Sequence, residues 1–203
     1  MADIVRAEVD ELVVDVSGDG VDSIEDDWVA RKDVVELCLM FNRIRRIEKL
    51  DGLTALRKLS LRANRITEMG GLSGCPQLQE LELYENQIER LAGLEGLASL
   101  TVLDVSYNKI RRIEGLELSG LASLQKLYLA QNEIGEIEGL AGLPALRLLE
   151  LGSNKLRRVP DLKVRLRVNR FVSIYMAIYM CMHAYMSLYV CMYDRYVFMY
   201  SYI

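Results

Sequence analysis

The hydrophobic positions of this chain recur with a period of 22, not with the period of a helix or a lone strand. Asparagine marks the beat at Asn42, Asn64, Asn86, Asn108, Asn132 and Asn154, with successive offsets of 22, 22, 22, 24 and 22. Eight, five and three positions before each asparagine stand apolar residues, as Leu56, Leu59 and Leu61 before Asn64. Two, five and eight positions after it the series resumes, as Ile66, Met69 and Leu72. The unit is LxxLxLxxNxIxxIxxLxxL.

Each slot has a physical reading. The LxL segment alternates with period two, which predicts a short strand with both leucines on one face. The asparagine follows at a turn, where its amide is expected to satisfy backbone groups of neighbouring coils and permit a buried bend. The later apolar residues, three apart, suit 3₁₀ or short helical turns. One unit cannot bury its apolar side alone, but stacked neighbours can. The frame is identified as the leucine-rich-repeat signature. The expected fold class is an α/β leucine-rich-repeat solenoid, with short parallel strands on the concave face and 3₁₀ or short helical turns on the convex face. The longer offset of 24 comes from an insertion of two in GLELSGLASL, after Ile113, expected in a convex loop.

Upstream, VVDVSGDGVDSI is a worn copy of the frame: Val14 and Val16 take the strand slots and Asp19 replaces asparagine. The domain reading is therefore threefold. Residues 1–33 are an acidic N-terminal segment with a degenerate capping repeat. Residues 34–162 are six repeats, one to each asparagine, and 163–203 are a non-repeat tail rich in Tyr and Met. Trp28 is expected to cover the first core layer, and residues 1–10 to be a frayed tail or a short helix.

Charge sharpens these boundaries. Residues 1–33 hold 11 acidic and 3 basic side chains, residues 34–160 hold 16 and 17, and residues 161–203 hold 2 and 5. With a net charge of -4 there is no global basic field, so no nucleic-acid partner is expected. The acidic N-terminus lacks a secretory n-region. Cys38, Cys75, Cys181 and Cys191 are accordingly read as reduced thiols.

Residues between the strand leucines should form outward columns, one residue per coil. The central column reads Cys38, Ser60, Glu82, Asp104, Tyr128 and Glu150. Beside it run Met40, Arg62, Tyr84, Ser106, Ala130, Gly152 and Phe41, Ala63, Glu85, Tyr107, Gln131, Ser153. Carboxylates among aromatic rings suit a protein surface carrying Arg or Lys, not a phosphate backbone. The candidate partner-binding residues are Glu82, Asp104, Tyr128, Glu150, Tyr84 and Tyr107. The pairs Arg45-Arg46, Arg111-Arg112 and Arg157-Arg158 alternate with Glu48, Glu114 and Glu138, and read as a solvated, charge-balanced rim.

The IxxIxxL half and the segments LTVLDVSYNKIRRIEGL, LQKLYLAQNEI and LRLLELGSNKL resemble the protein phosphatase 1 regulatory subunit 7 family over roughly 11–162. Axonemal dynein light chain 1-like scaffolds share the consensus. The first resemblance implies a cytoplasmic or nuclear regulatory subunit that binds the catalytic subunit of type-1 serine/threonine phosphatase through its concave face. Asp104 in LDVSYN and Glu150 in LELGSN match family residues. Tyr128 in LYLAQN stands where the family usually has Phe, and Glu82 fills the column one coil earlier. The array looks C-terminally truncated relative to that family, leaving its last coil without a following layer. A cytoskeletal or axonemal scaffold and a membrane-anchored module are the alternatives.

In the tail, the stretch 171–193 contains no Asp, Glu, Lys or Arg and is long enough for a transmembrane helix. Basic residues from Lys163 to Arg170 would keep the repeats on the cytosolic side. Tyr, however, is spread along the whole stretch rather than gathered at its ends. The vocabulary of Tyr, Met, Cys, Val, Ile and His matches a TA/TG/CA-rich microsatellite. Read-through after a lost splice junction near Leu162 is the first reading, a membrane tail the second, and an unusual cap the third. No enzyme is expected. The one histidine, His183, lies in the tail, and no nucleophile, metal or phosphate-loop constellation appears, so no cofactor is expected.

Overall fold

The computed structural model describes residues 12–114, 116, 120–137, 139–140 and 142–156 in full, and 3–6, 141, 173–180, 184–193 and 196–202 by backbone alone. Its single sheet has eleven strands that follow one another in chain order. They are β1 (Asp3–Arg6), β2 (Leu12–Asp15), β3 (Val34–Cys38), β4 (Lys58–Ser60), β5 (Glu80–Glu82) and β6 (Val102–Asp104), then β7 (Lys126–Tyr128), β8 (Leu148–Glu150), β9 (Ser173–Met180), β10 (Ala184–Tyr193) and β11 (Tyr196–Tyr202). Strands β2 to β9 pair in parallel, each with the next. A parallel array in chain order requires every connection to return on the same side, which makes a solenoid.

The apolar frame explains the register. Leu37, Leu59, Leu81, Leu103, Leu127 and Leu149 occupy successive partnered positions, and each is fully buried. Leu39, Leu61, Leu83, Val105, Leu129 and Leu151 bury beside them, as do Ile44, Ile66, Ile88, Ile110 and Ile134 across the interior. One continuous core results, and it extends from Leu12 to Leu156.

The six asparagines are buried and bonded alike. Asn64 Nδ2 donates to the Leu39 carbonyl of the preceding coil at 2.8 Å and to the Leu61 carbonyl of its own at 3.1 Å, while its Oδ1 accepts the Ile44 N–H at 3.0 Å. Asn42, Asn86, Asn108, Asn132 and Asn154 repeat this pattern. An interior bend thus leaves no amide stranded, which is what a buried turn demands. The residue before each asparagine takes on the strain. Phe41, Ala63, Glu85, Tyr107, Gln131 and Ser153 all have φ between 51° and 58°, in the left-handed region that L-residues rarely enter.

The opposite side contains little helix. Among the described residues, the helical pieces are a single turn at Asp26–Val29, a 3₁₀ turn at Leu140–Gly142 and a 3₁₀ position at Leu116. Elsewhere the apolar residues spaced by three close tight turns, as Leu53 N–H to Leu50 O at 3.0 Å and Leu56 N–H to Leu53 O at 3.1 Å. The expected spacing by three is present, mostly as single tight turns and in places as 3₁₀. The coils also touch closely here. Gly71 has φ +83°, and a Cβ on it would strike the Ile47 carbonyl oxygen.

In the N-terminal coil Val14 pairs with Leu37, and Trp28 is buried in the core cluster. The offset between Val14 and Leu37 exceeds the regular period by one, and a register shift absorbs it: Leu12 faces Val34, and Val13 faces Glu36. Residues 3–6 form neither a frayed tail nor a helix. They run antiparallel to β2 as β1 and cover its outer edge.

The tail also departs from the helical expectation. The described residues of 171–193 are extended, in β9 and β10, and β10 pairs antiparallel with both β9 and β11. Among the described residues no helix is long and apolar enough to cross a membrane. Tyr, Val and Ile favour the strand over the helix. Strand β9 lies parallel to β8, so the edge expected to stay open is paired. The boundary at residue 162, the pair Arg157-Arg158, Glu138, Lys163–Arg170 and His183 lie outside the described residues, as do residues 115 and 117–119 around the insertion.

Candidate protein-binding face

Parallel register turns the sequence column into a physical one. Glu82 partners Asp104, Asp104 partners Tyr128, and Tyr128 partners Glu150, on four successive strands. Neighbouring parallel strands lie about 4.8 Å apart, so these side chains crowd along one line. All four are half-buried, while the leucine preceding each is fully buried. Asp104 is positioned locally, because its Oδ1 accepts the Ser106 N–H at 2.9 Å. Desolvation, and then the charge of Asp104, hold the Glu150 carboxyl above its usual range.

The first two members of the column do not belong to the accessible face. Cys38 and Ser60 are buried, at 9% and 1% exposure. Long neighbours close over these short side chains. Ser60 Oγ donates to Glu82 Oε2 at 2.8 Å, and the Cys38 thiol donates to Glu36 Oε1 at 3.5 Å. Desolvation and the Glu36 charge push the Cys38 thiol up to about 12. Lys58 bridges the outer column, 3.3 Å from Glu36 and 4.0 Å from Glu80. Desolvation opposes its charge, but Glu36 and the neighbouring carboxylates outweigh that and hold it above its ordinary value.

Tyr84 and Tyr107 come from different columns yet meet, with ring centroids 4.7 Å apart and tilted by 46°. The left-handed backbone at Tyr107 turns its ring out of the strand line, where it is 47% exposed. Arg62 completes the group, its guanidinium carbon 4.9 Å from the Tyr84 centroid. Sequence reasoning omitted Arg62 from the site. The available signal was its place one coil before Tyr84 in the same column. The structure brings Glu82, Asp104, Tyr128 and Glu150 onto one line and sets Tyr84 and Tyr107 together. A surface of this kind offers stacking area and clustered carboxylates.

A family model described as leucine rich repeat matches residues 98–156, and a model of two leucine rich repeat copies matches 76–118. The chain is a leucine-rich-repeat protein. Both matched models describe the repeat, and neither is particular to phosphatase regulatory subunits. No curated protein matches the sequence closely enough to be called a relative.

Solved structures carry the same fold. Internalin C2 from Listeria monocytogenes superposes with a TM-score of 0.57 at 25% identity, over 81% of this leucine-rich-repeat chain and 80% of its own. The leucine-rich-repeat protein LIC12759 of Leptospira interrogans gives 0.63 at 28% identity, over 72% of this chain and 39% of its own. Internalin F from Listeria monocytogenes gives 0.64 at 20% identity, over 82% and 56% respectively, a likeness of fold alone. The leucine-rich-repeat chain thus spans most of the first structure and a much smaller share of the other two. Arrays of this class are ordinarily protein-interaction scaffolds, and neither matched model describes an enzyme.

Proposed function

We propose that the strand face from Glu82 to Glu150 docks a partner protein through basic groups on that partner, and that the chain acts as a non-enzymatic regulatory scaffold. The observation that carries this reading is the four-strand line of Glu82, Asp104, Tyr128 and Glu150 beside the Tyr84–Tyr107 pair. A carboxylate already desolvated in the unbound protein, as Glu150 is, gains most from an incoming Arg or Lys. The rings supply buried contact area at little entropic cost.

The partner we put first is the catalytic subunit of type-1 serine/threonine phosphatase, in the cytoplasm or nucleus. This choice rests on the sequence resemblance of LDVSYN, LYLAQN and LELGSN, whose column residues occupy neighbouring rungs. Pull-down with that subunit should lose its signal in Asp104→Ala/Tyr128→Ala/Glu150→Ala. Each contact of this kind is worth about 1–4 kcal/mol on truncation. Capture undiminished by the triple substitution removes the proposed face. Co-purification with dynein heavy chains, and none with the phosphatase, selects the axonemal alternative on the same face.

A further inference from the structure

The rim just past each asparagine was expected to be charge-balanced, and three of its cations in the later coils have a carboxylate partner. Arg90 lies 3.4 Å from Glu114, Arg111 lies 3.4 Å from Glu133, and Lys155 lies 3.3 Å from Glu133. One groove on the first coils has a different lining. Arg45, Arg46, Arg65, Thr67 and Gln87 line one open groove of about 490 Å³, and no carboxylate lines it among the described residues.

The coil-to-coil ladder puts these residues side by side. The Arg65 N–H donates to the Ile44 carbonyl at 2.9 Å, which sets Arg65 against Arg45. The Gln87 N–H donates to the Ile66 carbonyl at 2.9 Å, which sets Gln87 against Thr67. All three arginines are exposed at the surface. Guanidinium does not deprotonate in proteins, so the groove cannot shed this charge as a lysine cluster can. An anion relieves the crowding, and planar forks engage phosphate oxygens two at a time. The Gln87 amide and Thr67 hydroxyl add neutral donors. The groove has room for more than one phosphate group, and its three cations match a chain of them.

We propose that this groove binds a small soluble oligophosphate, a ligand bearing two or more linked phosphate groups. The site lies on the rim beyond the strands, and its occupancy does not depend on the partner-binding face.

Calorimetric titration of the full chain with sodium tripolyphosphate, at constant ionic strength, tests this. Saturable one-to-one binding is expected, at least tenfold tighter than sulfate. Arg45→Gln/Arg65→Gln should weaken it at least tenfold, and Arg111→Gln/Arg112→Gln by less than twofold. Equal losses in both variants, no saturation, or parity with sulfate overturns the proposal. Tripolyphosphate should also protect Arg45, Arg46 and Arg65 of the unaltered chain from phenylglyoxal. Modification at an unchanged rate overturns the site even if a variant fails to fold. A single-stranded oligonucleotide that binds more tightly than tripolyphosphate overturns the small-ligand assignment.

Discussion

Asn86 is bonded to Ile66 of the preceding coil, its Oδ1 accepting the Ile66 N–H at 2.9 Å deep in the interior. Its Nδ2 meanwhile donates to Leu61 at 2.9 Å and to Leu83 at 3.1 Å. Asn86→Ala strands that N–H, at a cost of about 1–3 kcal/mol for a buried unpaired group. The urea midpoint should fall accordingly. Asn86→Asp keeps the acceptor but loses the donor and faces a carboxylate toward carbonyl oxygens. Its folded-state titration is thereby raised, so its stability should decline as pH rises through that range. A midpoint for Asn86→Ala equal to the unaltered chain would show that the ladder is dispensable.

Gly71 and Gly96 share a left-handed backbone, with φ +83° and +86°, but not their surroundings. A Cβ on Gly71 strikes the Ile47 carbonyl, whereas one on Gly96 meets nothing within 4 Å. Gly96→Ala should lose only the conformational penalty, about 1–2 kcal/mol. Gly71→Ala must also push one coil from the next and should lose clearly more. Thermal melts that rank the two equally would refute inter-coil contact as the reason for Gly71.

Glu150 is expected to favour binding at the expense of stability. Desolvation, then Asp104, raises its titration in the fold. The protonated side chain is therefore the better accommodated form, and stability is lost as pH rises through the raised value. Glu150→Gln should raise the melting temperature at pH 7, with a gain that shrinks as pH falls below the carboxylate range. The same substitution should weaken partner capture. A melting temperature lowered at pH 7 would contradict the assignment.

The buried thiols set an alkaline limit. Desolvation and the Glu36 charge push Cys38 up to about 12, while desolvation and the Asp51 charge push Cys75 up to about 11. In the unfolded chain a thiol ionises at about 8.5. Below that pH both states keep their protons. Above it the unfolded state ionises first, so stability should fall as pH rises toward these values. Iodoacetamide at pH 8, followed by peptide mapping, should leave Cys38 and Cys75 unmodified until denaturant is added. Rapid native labelling of Cys75 would contradict its burial.

Much of this architecture was readable in the residues because one period, marked by six asparagines, overdetermines the register. Once Leu59 and Leu81 are known to be equivalent, Ser60 and Glu82 must be neighbours, and the structure pairs them. Other features depend on contacts that the period does not encode. The burial of Cys38 and Ser60 follows from the reach of Glu36 and Glu82 over shorter side chains. The left-handed turn at Tyr107 is imposed by the buried asparagine after it and is invisible in tyrosine's own preferences. The strand at 3–6 carries no copy of the repeat, and only its antiparallel partner β2 defines it.

Val102 and Lys126 are separated by a longer stretch of chain than the rungs on either side, yet they pair directly. The stretch is two residues longer than its neighbours, and Asp104 still meets Tyr128. The strand side behaves as a ruler with fixed graduations. The two added residues leave the order of carboxylates and rings along the rungs unaltered. The pattern shown to a partner is therefore insulated from this change in the length of one coil.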